Sequence, residues 1–270
     1  MRSMTTLFIL VVAFALAGAA PAAADLVFST NNTIHVDGLT VHHGDVVDYD
    51  VAGGGLSLLF AQETLGNKDV DALHLMGDGS LIFSTHSQVC LGGTRFGADD
   101  LIRYDPLAGS TSLWFDGGQF AKKADIDAVY VKTNGSVLLS THSKGDLGGL
   151  RFDRGDIVEF NPFSGTTSLV LDGSAFGGNG NVDAIDMVGD DLLISTHAHS
   201  TLYGMTFQRG DIIRVDLAAQ TASMFLPEST FGPSATNIDA MTTSVAVPEP
   251  ATLAMLVVGG VWGMCRRRRA

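Results

Sequence analysis

Between Asp25 and Val247 the apolar positions fall in short runs separated by Gly, Asp, Asn and Pro. Ala72-Leu73-His74-Leu75-Met76 leads into the turn signal Gly77-Asp78-Gly79 and then into Ser80-Leu81-Ile82-Phe83-Ser84-Thr85, which predicts a hairpin. A longer loop containing Gly92-Gly93 and Phe96 follows. Leu101-Ile102-Arg103-Tyr104-Asp105 and Thr111-Ser112-Leu113-Trp114-Phe115 then flank Pro106-Leu107-Ala108-Gly109, a second predicted hairpin. No stretch in this region carries the 3.6-residue period of an amphipathic helix. The unit is therefore a predicted four-stranded antiparallel meander.

That unit recurs. Asp-Ala pairs stand at Asp71, Asp127, Asp183 and Asp239, 56 residues apart each time. The next apolar run ends in Ser84-Thr85-His86, Ser140-Thr141-His142 or Ser195-Thr196-His197, and Asp100, Asp156 or Asp211 opens the run after it. Near the N-terminus, Ser29-Thr30-Asn31 and Gly44-Asp45 have no Asp-Ala before them; the missing piece is Asn237-Ile238-Asp239-Ala240 at the other end. The segments from Phe28, Phe83, Leu139 and Ile194 to Asp50, Asp105, Asn161 and Asp216 align without a gap. The repeats run over about 25–67, 68–122, 123–178 and 179–234, with a closing strand in 235–247.

Tandem four-stranded meanders suit an all-β, four-bladed β-propeller of antiparallel blades. In such a ring the divided unit has a purpose, because the C-terminal strand pairs into the N-terminal blade and closes it. A β-solenoid or a pair of sandwiches is the alternative, and neither requires a divided unit.

Strand direction places Asp-Ala, Ser-Thr-His and Gly-Asp on one rim. Two readings follow. In the structural one, His86, His142 and His197, with Asn31 as their counterpart, and Asp45, Asp100, Asp156 and Asp211 satisfy strand-end N–H groups and fix the long loops. In the chemical one, Asp71, Asp127, Asp183 and Asp239 point at a common axis, where carboxylates repel unless a cation, water or protons compensate. Oxygen ligands favour Ca²⁺ over transition metals. The Asp-Ala pair opening each inner strand is similar to hemopexin-like domains, a resemblance that implies ions held in a central tunnel. The repeats differ at His42-His43, Cys90, His199 and Tyr203. Neither G-x-S-x-G, nor H-E-x-x-H, nor a phosphate loop occurs.

The two ends are of another kind. Met1-Arg2, an apolar run from Leu7 to about Ala17, and Ala22-Ala23-Ala24 predict a signal peptide over 1–24, with signal peptidase as the first partner. Pro248-Glu249-Pro250 precedes an apolar stretch from Ala251 to Cys265, and Arg266, Arg267, Arg268 and Arg269 follow. As a helix that stretch reaches about 22 Å, short of a hydrocarbon core of about 30 Å, so it suits a temporary span. The arginines stay cytoplasmic and the main domain lies outside. The order Pro-Glu-Pro, apolar helix, basic end over 248–270 resembles the PEP-CTERM sorting signal of exosortase substrates. The resemblance implies a membrane-embedded sorting protease as partner, removal of the tail, and release or attachment at the cell surface.

The formal net charge is −13. Loss of Arg2 and the four tail arginines against one Glu leaves the remaining domain more acidic still. This argues against nucleic acid as a partner and confines membrane contact to the tail. With Cys265 in the tail, Cys90 has no disulfide partner in the domain. The leading expectation is an exported cell-surface or extracellular-matrix protein with a non-enzymatic role, binding Ca²⁺, a glycan or an envelope protein. The alternative is an exported metal-dependent hydrolase or lyase that uses the Asp/His rim; fold alone does not separate them.

Overall fold

The structure, a computed structural model, describes residues 25–36, 38–178, 180–231 and 237–244. The signal-peptide region 1–24, the ends of the closing segment (235–236 and 245–247) and the sorting tail 248–270 lie outside the described residues.

Each repeat folds as a four-stranded antiparallel sheet, and the first sheet is assembled from both ends of the chain. Its strands lie in the order Ile238–Thr243, Leu26–Thr30, Val46–Tyr49, Leu56–Phe60. Pairing runs from Leu26 opposite Thr243 to Thr30 opposite Ile238. The second sheet comprises Val70–Leu75, Leu81–Thr85, Leu101–Asp105 and Ser110–Phe115. The third comprises Ile126–Val131, Val137–Thr141, Ile157–Asn161 and Thr166–Leu171, and the fourth Val182–Val188, Asp191–Thr196, Ile212–Asp216 and Thr221–Leu226. The lead strands Ile238–Thr243, Val70–Leu75, Ile126–Val131 and Val182–Val188 each make their most extensive contacts with two of the others, in cyclic order.

The predicted long loop is more ordered than a loop. Between the second and third strands of each sheet the chain forms a two-stranded ribbon, such as Val89–Leu91 with Thr94–Phe96 and Ser200–Leu202 with Met205–Phe207. The cause is local. Gly92-Gly93 and Gly148-Gly149 both run at positive φ, the backbone that a two-residue hairpin turn requires. Tyr203 adopts the same conformation at φ 49 before Gly204. Val41, Phe96, Phe152 and Phe207 end the ribbons and are buried, anchoring them to the core.

The apolar core lies between neighbouring sheets. Ala72 and Ile82 of the second sheet pack with Ile126, Val129 and Leu139 of the third. Phe231 meets Phe28 at a tilt and Tyr49 edge-on, with ring centroids 4.6 and 5.2 Å apart. Polar joints reinforce the same seams. Ser84 Oγ donates to Ile126 O at 2.8 Å, and Ser195 Oγ to Ile238 O at 2.6 Å. Three residues beyond each Asp-Ala aspartate, His74, Tyr130, Asp186 and Thr242 occupy one repeat position and reach toward the next sheet. Thr243 N donates to buried Asp186, Leu75 N donates to Thr242 Oγ1, and His74 meets Tyr130 edge-on at 5.0 Å.

Candidate functional site

A β-bulge aims the key aspartates. Val70 pairs with Thr85 and Ala72 with Ser84, so Asp71 is the extra, unpaired residue. Asp127 and Asp183 sit at the same break in register, and Asp239 at the matching one against Ser29 and Thr30. A bulge bends the strand and redirects the side chain it releases. All four carboxylates line one cavity of about 350 Å³.

The other motif residues divide into two groups. Asp45, Asp156 and Asp211, which are buried, and the half-buried Asp100 are clamps. Asp156 accepts from Asp153 N and Gly173 N, both at 2.7 Å, and the other three accept from the equivalent pair of backbone amides. Gly155, at φ 83, passes so close to the Gly180 carbonyl that a Cβ would collide with it. The threonines of Ser-Thr-His close a local turn, as in Thr85 Oγ1 to Ser87 O at 2.8 Å. His86, His142 and His197 instead line the cavity with Asn31, and their rings are exposed. His42 and His43 are exposed and do not line this cavity.

Residues outside the Asp-Ala motif also surround the cavity, and two of them, Asp69 and Asn237, line it. Two positions before each Asp-Ala aspartate stands Asp69, Asp125, Asn181 or Asn237. The alternation of a strand turns positions i and i−2 to one side, and the identical 56-residue spacing was the signal that marks them. Each seam between sheets therefore forms one niche: an Asp-Ala aspartate, the His or Asn that ends the adjoining strand, and the Asp or Asn of the next lead strand.

Two niches are closed by amide donors. Asn181 Nδ2 donates to Asp127 Oδ2 at 2.9 Å, and His142 Nδ1 lies 3.3 Å from that oxygen. Asn237 Nδ2 donates to Asp183 Oδ2 at 2.9 Å, with His197 Nδ1 at 3.4 Å. The other two niches carry a second carboxylate where those have an amide. Asp71 and Asp125 flank His86, whose Nδ1 lies 3.4 and 3.7 Å from their oxygens. Asp69, Asp71 and Asp239 bring carboxylate oxygens within 4.8 Å of one another.

Electrostatics separate the two kinds of niche. Burial first, then the charges of Asp125 and Asp127, push Asp71 up to about 10. Burial and Asp127 push Asp125 up to about 7. Burial, followed by Asp69 and Asp71, holds Asp239 well above the usual carboxylate range. Burial raises Asp127 too, but the hydrogen bonds from His142 and Asn181 oppose it. In return His142 and His197 are raised chiefly by their bonds to Asp127 and Asp183.

Among the described residues, Asp69 Oδ1, Asp71 Oδ2, Asp125 Oδ1, Asp239 Oδ1, Asn181 Oδ1 and Asn237 Oδ1 are buried without a hydrogen-bond partner. Every one is an acceptor. Buried polar atoms without partners are rare in folded proteins because desolvation is costly. Two oxygens held on one Ca²⁺ at about 2.4 Å lie at most about 4.8 Å apart, which the Asp69, Asp71 and Asp239 oxygens satisfy. Water, protons or a cation would each meet that need chemically.

Residues 246–269 match the PEP-CTERM protein-sorting motif. The chain therefore carries the C-terminal signal of an exported protein that is sorted to the envelope and processed by an exosortase. Among the described residues no helix is long and apolar enough to cross a membrane, and the apolar tail lies outside them. No curated protein matches the chain. Among solved structures it is similar to virginiamycin B lyase from Staphylococcus aureus, at 12% identity and a TM-score of 0.31, over 74% of this chain and 56% of that one. It is also similar to YCF48 bound to D1 peptide, at 8% identity and a TM-score of 0.33, over 75% of this chain and 58% of that one. The chain thus spans less than two thirds of either protein, and likenesses this distant carry no inference about activity.

Proposed function

We propose that this is an exported surface or matrix protein whose four sheets are the blades of one closed four-bladed propeller, and that its acidic cup binds a divalent cation. Support for closure comes from the pairing of Leu26–Thr30 with Ile238–Thr243 and from the cyclic packing of the lead strands. The observation that carries the cation is the set of buried, unpartnered oxygens around Asp69, Asp71 and Asp239. That donor set is all oxygen, negatively charged and partly preformed, which suits Ca²⁺. The role is binding rather than catalysis: three of the four niches bear the same Asp-imidazole pairing, as expected of a repeated scaffold element. The cup then presents Ca²⁺ and its surrounding imidazoles to a glycan or an envelope protein.

Elemental analysis of the full chain, purified in detergent and equilibrated with Ca²⁺, tests this reading. Bound Ca²⁺ that falls on Asp71→Asn but not on His42→Ala supports it. A protein that retains no Ca²⁺ at millimolar concentration overturns it. Hydrolase or lyase activity abolished by His142→Ala would move the assignment to the metalloenzyme reading.

A further inference from the structure

Four copies of one niche differ in whether the lead strand supplies Asp or Asn and, in one copy, by Asn31 in place of the histidine, which allows their contents to be compared. Where the lead strand supplies Asn181 or Asn237, its amide N–H approaches the facing aspartate. Where it supplies Asp125 or Asp69, a carboxylate stands in the place of that donor. The two acidic niches are neighbours, and the Asp71 carboxylate of one also approaches the oxygens of the other, yet they differ in chemistry. One offers the oxygens of Asp69, Asp71 and Asp239; the other offers Asp71, Asp125 and the imidazole nitrogen of His86.

We propose that the His86 niche is a second metal position, for a borderline divalent ion such as Zn²⁺, Co²⁺ or Mn²⁺, joined through the Asp71 carboxylate to the Ca²⁺ position. This inference rests on the cation reading above. Three observations support it. Asp71 is 7% exposed and its Oδ2, the oxygen nearest His86 Nδ1, has no hydrogen-bond partner. Asp125 Oδ1 is also buried and unpartnered, while Oδ2 of the same carboxylate faces His86. The separations of 3.4 and 3.7 Å from His86 Nδ1 to the two carboxylates match the edge of a tetrahedron with ligands at about 2.1 Å, which spans about 3.4 Å. Imidazole nitrogen selects such ions over Ca²⁺ and Mg²⁺. Charge balances as well. Asp127 and Asp183 have amide and imidazole partners, which leaves Asp69, Asp71, Asp125 and Asp239, four negative charges, against two divalent ions.

Asp125→Asn tests the proposal with little risk to folding, because it copies the residue that two other repeats already carry at that position. The full chain is loaded with Ca²⁺ and Co²⁺, and metal content is read together with the visible absorption of Co²⁺. The expected result is two ions in the parent protein, one of them Co²⁺ with a tetrahedral spectrum. Asp125→Asn and His86→Gln should lose Co²⁺ and keep Ca²⁺, while Asp69→Asn should lose Ca²⁺ and keep the Co²⁺ band. A single Ca²⁺ with no Co²⁺ band overturns the second position and leaves the Ca²⁺ reading intact, as does a Co²⁺ band unchanged by both His86→Gln and Asp125→Asn. Absence of both metals overturns the two together. Melting of each variant in chelator confirms that it is folded.

Discussion

Asp239 and Asp69 hold carboxylate oxygens within 4.8 Å of each other, at the seam where the C-terminal strand meets the second repeat. The equivalent seam between Asp183 and Asn237 holds a 2.9 Å hydrogen bond instead. One residue type thus separates a self-sufficient joint from one that requires a proton or a cation. The stability of the domain should depend on both.

The pH dependence follows from the shifts. Asp71, Asp125 and Asp186 are raised from 3.8 to about 10, 7 and 6. The folded protein therefore keeps protons that the unfolded chain has already released. A raised folded pKa gives stability that is present below the unfolded value and lost as pH rises through the folded one. His142 and His197, also raised, act in the same direction. In chelator, the melting temperature should fall steadily from about pH 4 to pH 8. Added Ca²⁺ should flatten that slope, since it replaces the protons of the cup.

An added carboxylate should reproduce the acidic joint where the amide now stands. Asn181→Asp removes the donor to Asp127 and brings a like charge to a buried seam. In chelator it should cost about 1–3 kcal/mol at pH 7, the usual penalty for an unsatisfied buried group. Much of that loss should return with Ca²⁺ or at pH 5. Denaturant unfolding under the three conditions measures it; equal loss in all three contradicts the account.

The Gly-Asp aspartates should behave otherwise. Asp156 ties Asp153 N and Gly173 N across the third sheet. Asp156→Ala leaves two backbone donors without their carboxylate and should cost roughly 3–6 kcal/mol, from charge-assisted hydrogen bonds worth about 1.5–3 each. Metal content at 20 °C should not change, because this carboxylate lies outside the cup. A loss of metal without loss of stability would reverse the assignment of the two groups.

Much of this organisation was legible in the chain. The 56-residue spacing marked four units, and the stray Asn237-Ile238-Asp239-Ala240 indicated that the first sheet draws on both ends. The clamps were readable as strand-end polar groups, though their two amide partners were not. The ribbons were missed because three-residue strands carry too little alternation, while the positive-φ pairs that turn them look like ordinary loop glycines. Asp69 and Asp125 were missed for a different reason. The repeated signature begins at Asp-Ala, and the difference between Asp and Asn two positions earlier acquires meaning only when adjacent sheets bring it against Asp71 and Asp239. The bulge that aims Asp71 belongs to strand register, which composition does not record.

The tail makes an independent prediction. Residues 246–269 match the sorting motif, so replacing Pro248, Glu249 and Pro250 with alanine should leave the tail attached in a host that has an exosortase. Intact-mass analysis of the envelope fraction should show the full C-terminus, where the parent chain has lost it. Identical masses for the two proteins would contradict processing at this motif.

The cation in the cup is tested most directly by thermal melting of the full chain at pH 7.5, in chelator and in Ca²⁺. Ligand at 100 times its dissociation constant stabilises by about 2.7 kcal/mol. For a domain of this size, 1 kcal/mol moves the melting temperature by about 2–4 °C. The expected rise with Ca²⁺ is roughly 5–10 °C, abolished by Asp71→Asn. Superimposable curves in chelator and Ca²⁺ would contradict it.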